Sequence, residues 1–315
     1  MRTPSWETSP GALAAMLGAN TSIGALDLYT VTLSGGLSFL WTSGDVPVTI
    51  NGRTWTLGPI LTRGKTSLSV GVSVDTLDVH MAPPAGFTIN SVPFLAFVSR
   101  GGFDSARVTV ERAYFAPGAT AATGILFWFG GRVADVVTSR MGASITVHSD
   151  MELLNVMLPR EVWQPGCLNT LYDSACGVSR SSVTLSATVS AAMDVHLNSF
   201  QATFAAAFTP AGRLDMGTVT FTTGANAGLS RTVRTATLAG GSTYQITTLN
   251  PWPFAAAIGD AFTVVPGCTK GIELPVYDAN GVLIGRIPDV NGCPKFGNQA
   301  RFRGAPYIPS PESII

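Results

Sequence analysis

Hydrophobic and polar residues alternate along much of the chain, which is the pattern of β-strands that bury one face. Within residues 106–114, this alternation predicts that Arg107, Thr109 and Glu111 share a polar face. Asn51-Gly52 separates two such segments and predicts a hairpin, because both central positions of its turn must tolerate positive φ. Further strands are predicted at residues 26–33, 37–41, 46–50, 53–57, 68–74, 77–79, 124–137, 144–148, 219–223, 229–238 and 244–248.

Helical character is confined to two short segments. Residues 12–17 are small and apolar, with Ser9-Pro10 before them and Gly18 after them, which predicts a helix with a serine N-cap and a glycine end. Residues 151–157 predict a second helix, which Leu158-Pro159 ends. Because the first segment is too short for the apolar core of an export signal, the protein is expected to be made in the cytosol.

Strands at this spacing, with glycine-rich turns, predict a mainly β protein built from several small barrel or sandwich domains with few short helices. From about residue 177 to 266 the composition shifts towards Ser, Thr, Ala and Gly, which marks an inserted β module. We therefore predict N-terminal β domains over residues 1–150 and an inserted module over 178–266. A cysteine-bearing C-terminal domain is predicted from residues 151–177 and 267–315.

The balance of charge narrows the classes of function. Only 12% of the 315 residues are charged, and 19 basic residues balance 19 acidic ones. Nucleic-acid recognition is not predicted, because a phosphate-binding surface needs clustered excess Lys and Arg. No apolar run approaches the length of a membrane span. A chain with 46% hydrophobic residues and few charges is instead expected to bury surface against other protein subunits.

The sequence shows no catalytic apparatus. His80, His148 and His196 each lie beside or two residues from an aspartate, but a histidine at the surface or half-buried on a strand is the simpler interpretation. Nucleophile elbows, P-loops, His-Glu-x-x-His zinc motifs and glycine-rich dinucleotide turns do not occur. No catalytic residues are therefore predicted.

Four cysteines are the most informative residues. Cys167, Cys176, Cys268 and Cys293 all lie in turn-like sequence next to Gly or Pro, where the backbone approaches a ligand closely. Four thiolates form the full ligand set of a [4Fe–4S] or [2Fe–2S] cluster. They also suit structural zinc, although the short C-x-x-C pairs of zinc ribbons are missing. From spacing alone, free core thiols, an iron–sulfur cluster, zinc and disulfides all stay open.

Two segments around these cysteines resemble a known protein family. The first covers residues 158–177, and the second comprises residues 266–270 followed by Cys293, Phe296, Asn298 and residues 301–309. Both are similar to the tail-tip hub proteins of long-tailed bacteriophages and gene transfer agents, the family related to the tail tip protein L of phage lambda. The N-terminal half agrees more loosely, through its small-residue helix, its hairpin strands and the strand that contains Gly130-Gly131.

The resemblance implies a trimeric hub that links the distal tail tube to the central fibre or tip complex, with residues 1–150 in its ring. Its implied partners are further copies of the chain, the distal tail protein and the central fibre or tip attachment protein, with the tape measure protein as another candidate. Assembly would take place in the cytoplasm of the host bacterium. The mature location would be the tail tip of the virion.

The resemblance also implies an iron–sulfur cluster held by Cys167, Cys176, Cys268 and Cys293, with [4Fe–4S] favoured over zinc. Such a cluster is expected to fasten distant loops together, without a role in electron transfer. The chain departs from the family where residues 271–292 separate the third and fourth cysteines. This stretch predicts a hairpin of its own around residues 278–281.

Two other classes of function compete with the non-enzymatic hub. A tail-associated cell-wall hydrolase would need a nucleophile and a base, for which Cys167 or Cys176 with His196 is the only conceivable pair. A redox protein would need a flavin, a second cluster or a charged docking patch, and the sequence shows none of these. The structural hub is therefore the preferred interpretation.

Two local predictions complete the cysteine domain. Glycines beside the cysteines are expected to offer backbone N–H groups to the sulfurs, and these are Gly166, Gly177, Gly267 and Gly292. Residues 296–309, the closing run, contain apolar side chains and two prolines that fix φ. The closing run is therefore predicted to be ordered irregular chain packed on the cysteine domain.

Overall fold

The structure is a computed structural model that describes residues 4–7, 12–19, 22–66, 74–155, 163–206, 213–279, 281 and 283–307. Its contacts divide the chain into two compact units, Met1–Asn155 and Val156–Ile315. We call these unit 1 and unit 2. Most of the predicted strand at 68–74, along with Ser9, Pro10 and residues 156–162, lies outside the described residues.

Unit 1 is mainly β, as predicted. An eight-stranded sheet has the order β3-β2-β10-β11-β12-β7-β6, with β1 paired to β11. Its elements are β1 (Pro4–Glu7), α1 (Ala12–Gly18), β2 (Gly24–Thr32), β3 (Ser38–Thr42), β4 (Val48–Ile50), β5 (Arg53–Trp55), β6 (Ile60–Arg63), β7 (Thr76–Ala82), β8 (Thr88–Ile89), β9 (Val92–Pro93), α2 (Phe94–Ser99), β10 (Arg107–Phe115), β11 (Gly124–Thr138), β12 (Ala143–Ser149) and a 3-10 helix (Asp150–Leu154).

The sheet curls towards a barrel. Four strands separate β2 from β6 in the hydrogen-bonded order. Nevertheless Arg63 on β6 donates its Nε–H to Asp27 on β2 over 2.6 Å, and Arg112 on β10 donates to the same carboxylate over 2.7 Å. Trp128 on β11 lies under both guanidinium groups, at 4.8 and 4.6 Å from its ring centroid. These contacts hold opposite ends of the sheet close together.

The hairpin of β4 and β5 confirms the prediction from Asn51-Gly52. Both turn residues have positive φ, 49° and 74°. The hairpin packs Trp55 and its neighbours on the outer face of β2 and β10, in a core cluster with Leu28 and Phe115. The prediction of a solvent-facing polar face is wrong at Glu111. Glu111 lies on the same face as Arg107 and Thr109, but it is only 5% exposed because this core cluster covers that part of the face.

One further prediction needs correction. Residues 150–154 form a 3-10 helix where an α-helix was expected, and Leu153 and Leu154 are 64% and 66% exposed, so no core lies beneath them to favour a longer helix.

The strand predicted at 124–137 is confirmed as β11, which contains Gly130 and Gly131. A Cβ atom at Gly131 would overlap the carbonyl group of His148, so glycine permits close approach to β12.

Unit 2 contains a closed six-stranded barrel with the strand order β13-β14-β17-β16-β15-β18. Phe200, Phe221 and Phe262 pack against one another in its core, with centroid distances of 5.4 to 5.9 Å. A two-stranded hairpin follows the barrel. The elements of unit 2 are α3 (Arg180–Val183), β13 (Leu185–Val189), β14 (Ser199–Phe204), β15 (Thr218–Phe221), β16 (Ser230–Gly240), β17 (Thr243–Thr248), β18 (Ala261–Val265), β19 (Glu273–Tyr277), β20 (Leu283–Pro288) and two 3-10 helices (Cys293–Phe296 and Gln299–Arg301).

Candidate functional site

The barrel brings two distant cysteines together. Its first strand, β13, pairs antiparallel with its last strand, β18, so that Leu185 lies opposite Val264. The chain therefore enters and leaves the barrel at the same end. Cys176 precedes this entry and Cys268 follows the exit, which places them near each other although 91 residues lie between them.

The hairpin of β19 and β20 likewise brings Cys268 and Cys293 close together. Pairing of Glu273 with Pro288 closes the base of β19 and β20. Below it, Thr269 N–H donates to the Asn291 carbonyl over 3.1 Å, and Cys293 N–H donates to the Gly271 carbonyl over 2.9 Å. Residues 271–292 thus form a protrusion whose two ends both reach the cysteine region.

Asp173 shapes the loop between Cys167 and Cys176. Its two carboxylate oxygens accept the N–H of Cys176 over 2.6 Å and that of Thr170 over 2.9 Å. These hydrogen bonds, the one from Cys176 first, hold the pKa of Asp173 below its usual value. Cys167 N–H donates to the Lys270 carbonyl over 2.8 Å, which joins the loop to the segment after Cys268.

All four predicted site residues line one cavity. Cys167, Cys176 and Cys293 are 7%, 8% and 6% exposed, Cys268 is half-buried, and none of the four forms a disulfide. Polar side chains line the cavity together with the cysteines, and they were not identified from the sequence. The only signal in the sequence is that each lies close to a cysteine or in the closing run. The other described lining residues are Asn169, Leu171, Lys270, Asn298 and Arg301.

Hydrogen-bond donors surround the sulfur atoms. Arg303 N–H lies 3.4 Å from Cys167 Sγ, Lys270 N–H lies 3.3 Å from Cys268 Sγ, and Asn298 Nδ2 lies 3.6 Å from Cys176 Sγ. Such N–H groups stabilise thiolates. N–H donors to the sulfurs were predicted from the neighbouring glycines, whereas the observed donors belong to Lys270, Asn298 and Arg303.

The glycines have different roles. Gly177 N–H donates to the Asp173 carbonyl and Gly292 N–H donates to the Asp289 carbonyl, so neither was correctly predicted as a sulfur donor. Gly177 has a φ of +71°, and a Cβ atom there would overlap the Arg301 guanidinium. A Cβ atom at Gly292 would likewise overlap the Gly271 carbonyl. These two glycines permit close packing around the cysteines.

Two cationic side chains lie beside the thiols of the cavity. Burial raises the pKa of the Cys293 thiol to about 11 and also raises the pKa of Cys268. A metal would therefore have to displace protons from these thiols. Lys270 and Arg301 line the cavity, and its described lining contains no carboxylate. These two cations would offset the negative charge of metal-bound thiolates.

The closing run packs on the cysteine domain, as predicted, up to Tyr307; Ile308 and Pro309 lie outside the described residues. Leu168 N–H donates to the Arg303 carbonyl over 3.2 Å, and Ala305 N–H donates to the Gln164 carbonyl over 2.9 Å. Asn169 Nδ2 donates to the Arg301 carbonyl over 3.0 Å. The run therefore covers the loop that contains Cys167.

None of the three histidines is among the described residues that line the cavity. His80 is exposed on β7, and His196 is exposed in the loop between β13 and β14. His148 Nδ1 lies 3.1 Å from the Glu152 carboxylate, which is an ion pair when the imidazole is protonated. The described lining of the cavity contains no histidine, so the structure does not place His196 as a base beside Cys167 or Cys176.

The four cysteines line the same cavity, but among the described residues they do not form a ready site for a single metal ion. In the described part of the chain, no three His, Cys, Asp or Glu side chains are grouped closely enough to hold a single metal ion. Zinc–sulfur bonds of about 2.3 Å would bring tetrahedral sulfurs to about 3.8 Å from one another. The side chains as described are therefore not arranged to hold a single zinc ion.

Comparisons with known proteins agree with the family resemblance. Residues 10–179, just over half of the chain, match a family model described as "Baseplate hub protein, N-terminal attachment domain". Residues 212–274 match a second model, "Phage conserved hypothetical protein BR0599". No curated protein matches the chain.

The fold is also similar to that of a chain in a solved structure, "Virion of native gene transfer agent (GTA) particle". The two share 20% identity with a TM-score of 0.66, over 97% of this chain and 95% of that chain. At this identity the likeness shows the fold alone. No helix in the described ranges is long and apolar enough to cross a membrane. By its match to the hub model, the chain belongs to the family of phage baseplate hub proteins, which are structural components of the virion.

Proposed function

We propose that this baseplate hub protein is a homotrimer that links the distal tail tube to the central fibre or tip complex. We also propose that Cys167, Cys176, Cys268 and Cys293 hold an iron–sulfur cluster as a structural staple. The observation that carries the second proposal is that three separate chain segments bring four free cysteines to one cavity.

The chemistry of the cavity suits thiolate ligands of a metal centre, and the lack of a ready single-ion site among the described residues favours a cluster over zinc. The sulfurs receive N–H groups, and the lining is cationic. A [4Fe–4S] centre takes four thiolate ligands around a core larger than one ion. When bound, it supplies four metal–sulfur bonds between separate segments of the chain.

A staple at this position has a clear structural effect. Cys176 and Cys268 lie at the two ends of the barrel module, and Cys293 begins the 3-10 helix that leads into the closing run. Fixing them together constrains loops whose closure entropy grows only slowly with length. The cysteines would therefore hold the barrel, the hairpin and the closing run in one arrangement.

Exposed apolar side chains support association with other subunits. Ile60, Val137 and Met141 are 65%, 59% and 84% exposed, and they line an open groove in unit 1. In unit 2, Ile284 on β20 is 64% exposed. Surfaces of this kind mark protein contacts in assembled particles. We assign them to contacts between copies, with the distal tail protein, with the tip attachment protein and with the tape measure protein.

The cluster is tested by metal analysis of the full chain purified without oxygen. We expect about four iron and four acid-labile sulfide ions per chain, with the broad visible absorption of sulfur-to-iron charge transfer. Replacing any one of the four cysteines with Ser should lower the iron content, whereas the exposed control Met141→Ser should keep it. One zinc ion without sulfide, or no metal after reconstitution, would overturn the proposal.

A further inference from the structure

Asn298 contacts two of the four cysteines from different segments. It follows the 3-10 helix that begins at Cys293, after Gly297 in the left-handed conformation with φ of 62°. Its N–H donates to the Cys293 carbonyl over 3.3 Å. Its side-chain Nδ2 donates to the Cys176 carbonyl over 2.8 Å and lies 3.6 Å from Cys176 Sγ.

The carboxamide suits this position chemically. Its NH2 group carries two hydrogens and no charge, so one can be donated to the Cys176 carbonyl and the other directed at the sulfur. An aspartate of the same size would offer only acceptors and a negative charge beside the thiolate. A shorter side chain would reach neither atom.

Three hydrogen bonds hold Asn298 against the two cysteines. The Cys293 thiol donates to the Asn298 backbone carbonyl over 3.5 Å. The side-chain bond to Cys176 and the backbone bond to the Cys293 carbonyl complete the set.

We propose that Asn298 is a positioning residue of the cysteine site, which sets the placement of Cys176 relative to Cys293 and donates a hydrogen bond to the Cys176 sulfur. This inference rests on the proposed iron–sulfur centre. Partners that hold a metal ligand in place typically change metal retention by about 10- to 100-fold when removed. We expect an effect of that size from Asn298, although it is not itself a ligand.

The test compares the full-length wild-type protein with Asn298→Ala and Asn298→Asp, all loaded with iron and sulfide without oxygen. The half-time of iron release to a ferrous chelator and the position of the charge-transfer absorption are measured. We expect both variants to release iron about 10- to 100-fold faster, with a shifted absorption. The shift reports the lost hydrogen bond to sulfur, which general loosening of the fold would not produce.

Tyr307→Phe is the matched control. It removes one hydrogen bond from the closing run, between the Tyr307 hydroxyl and Glu273 over 3.2 Å, away from the sulfurs. This variant should keep the wild-type release rate and absorption. Wild-type behaviour of either loaded Asn298 variant would overturn the positioning role while leaving the cluster intact. A wild-type chain that takes up no iron and sulfide would overturn the proposed centre itself, and this inference with it.

Discussion

At the residue scale, Asp27 forms a largely buried ion pair with two arginines of unit 1. Its carboxylate accepts hydrogen bonds from Arg63 and Arg112, and its side chain is 13% exposed. Burial opposes its ionisation, but the hydrogen bonds from Arg112 and Arg63 outweigh burial, so the pKa of Asp27 lies below its usual value. Asp27 therefore stabilises the fold at neutral pH. That contribution is lost as pH falls below about 4 and through the lowered pKa.

Asp27→Asn should lower the free energy of unfolding by roughly 2–3 kcal/mol at pH 7, because two guanidinium groups lose their charged acceptor. The difference from wild type should shrink as pH falls below about 4, where the wild-type carboxyl group is protonated. Urea unfolding followed by circular dichroism across this pH range measures both effects. The exposed Asp45→Asn is the control. Equal stability of wild type and Asp27→Asn at pH 7 would contradict the account.

Some residues of the candidate site can be identified from the sequence, and others cannot. The four cysteines can be identified from residue type and turn context, since both are local. Asn298 and Arg303 approach the sulfurs of Cys176 and Cys167 only because distant segments pack together, so these contacts cannot be read from the sequence. Glu111 is buried for the same kind of reason, because a separate hairpin covers its face of the sheet.

At the element scale, the hairpin of β19 and β20 and the closing run should differ in stability. All six residues of β20 are exposed, and an isolated two-stranded hairpin is marginally stable in water. The closing run is held instead by backbone hydrogen bonds to Gln164 and Leu168. Local opening should therefore be more frequent in the hairpin.

Limited trypsin digestion tests this difference. Within residues 271–307, cleavage after Arg286 on β20 should precede cleavage after Arg303, whose N–H and carbonyl both have partners. Arg286→Gln should remove the first cut without exposing the second. Early release of a peptide that begins at Gly304 would show that the closing run is not packed as described. Mass spectrometry of the time course identifies the order of the cuts.

The barrel shows which elements sequence predicts and which it does not. Strands β15, β16 and β17 follow from alternation between clear turns. Strands β13 and β14 bury Ala187 and Ala202 between larger residues, so their hydrophobic contrast is weak. Helix α2 could not be predicted either. It is a short apolar run, and the hydrophobic pattern of so short a run does not distinguish a buried strand from a short helix.

At the scale of the whole molecule, the proposed homotrimer would explain why so neutral a chain keeps large apolar side chains exposed. Native mass spectrometry of the purified full chain should show a complex of about 98 kDa, three chains of 32.8 kDa each. Trimers should persist at high ionic strength, because apolar contacts are not screened by salt. A stable 32.8 kDa monomer as the sole species at micromolar concentration would contradict this.

The most direct test of the central claim is the map of the assembled particle, imaged after purification without oxygen and combined with anomalous scattering of crystals at the iron edge. The account predicts one compact density, larger than a single ion and containing iron, between Cys167, Cys176, Cys268 and Cys293 in every copy. A single-ion density with a zinc edge, disulfides between the cysteines, or sulfurs in separate cores would contradict it.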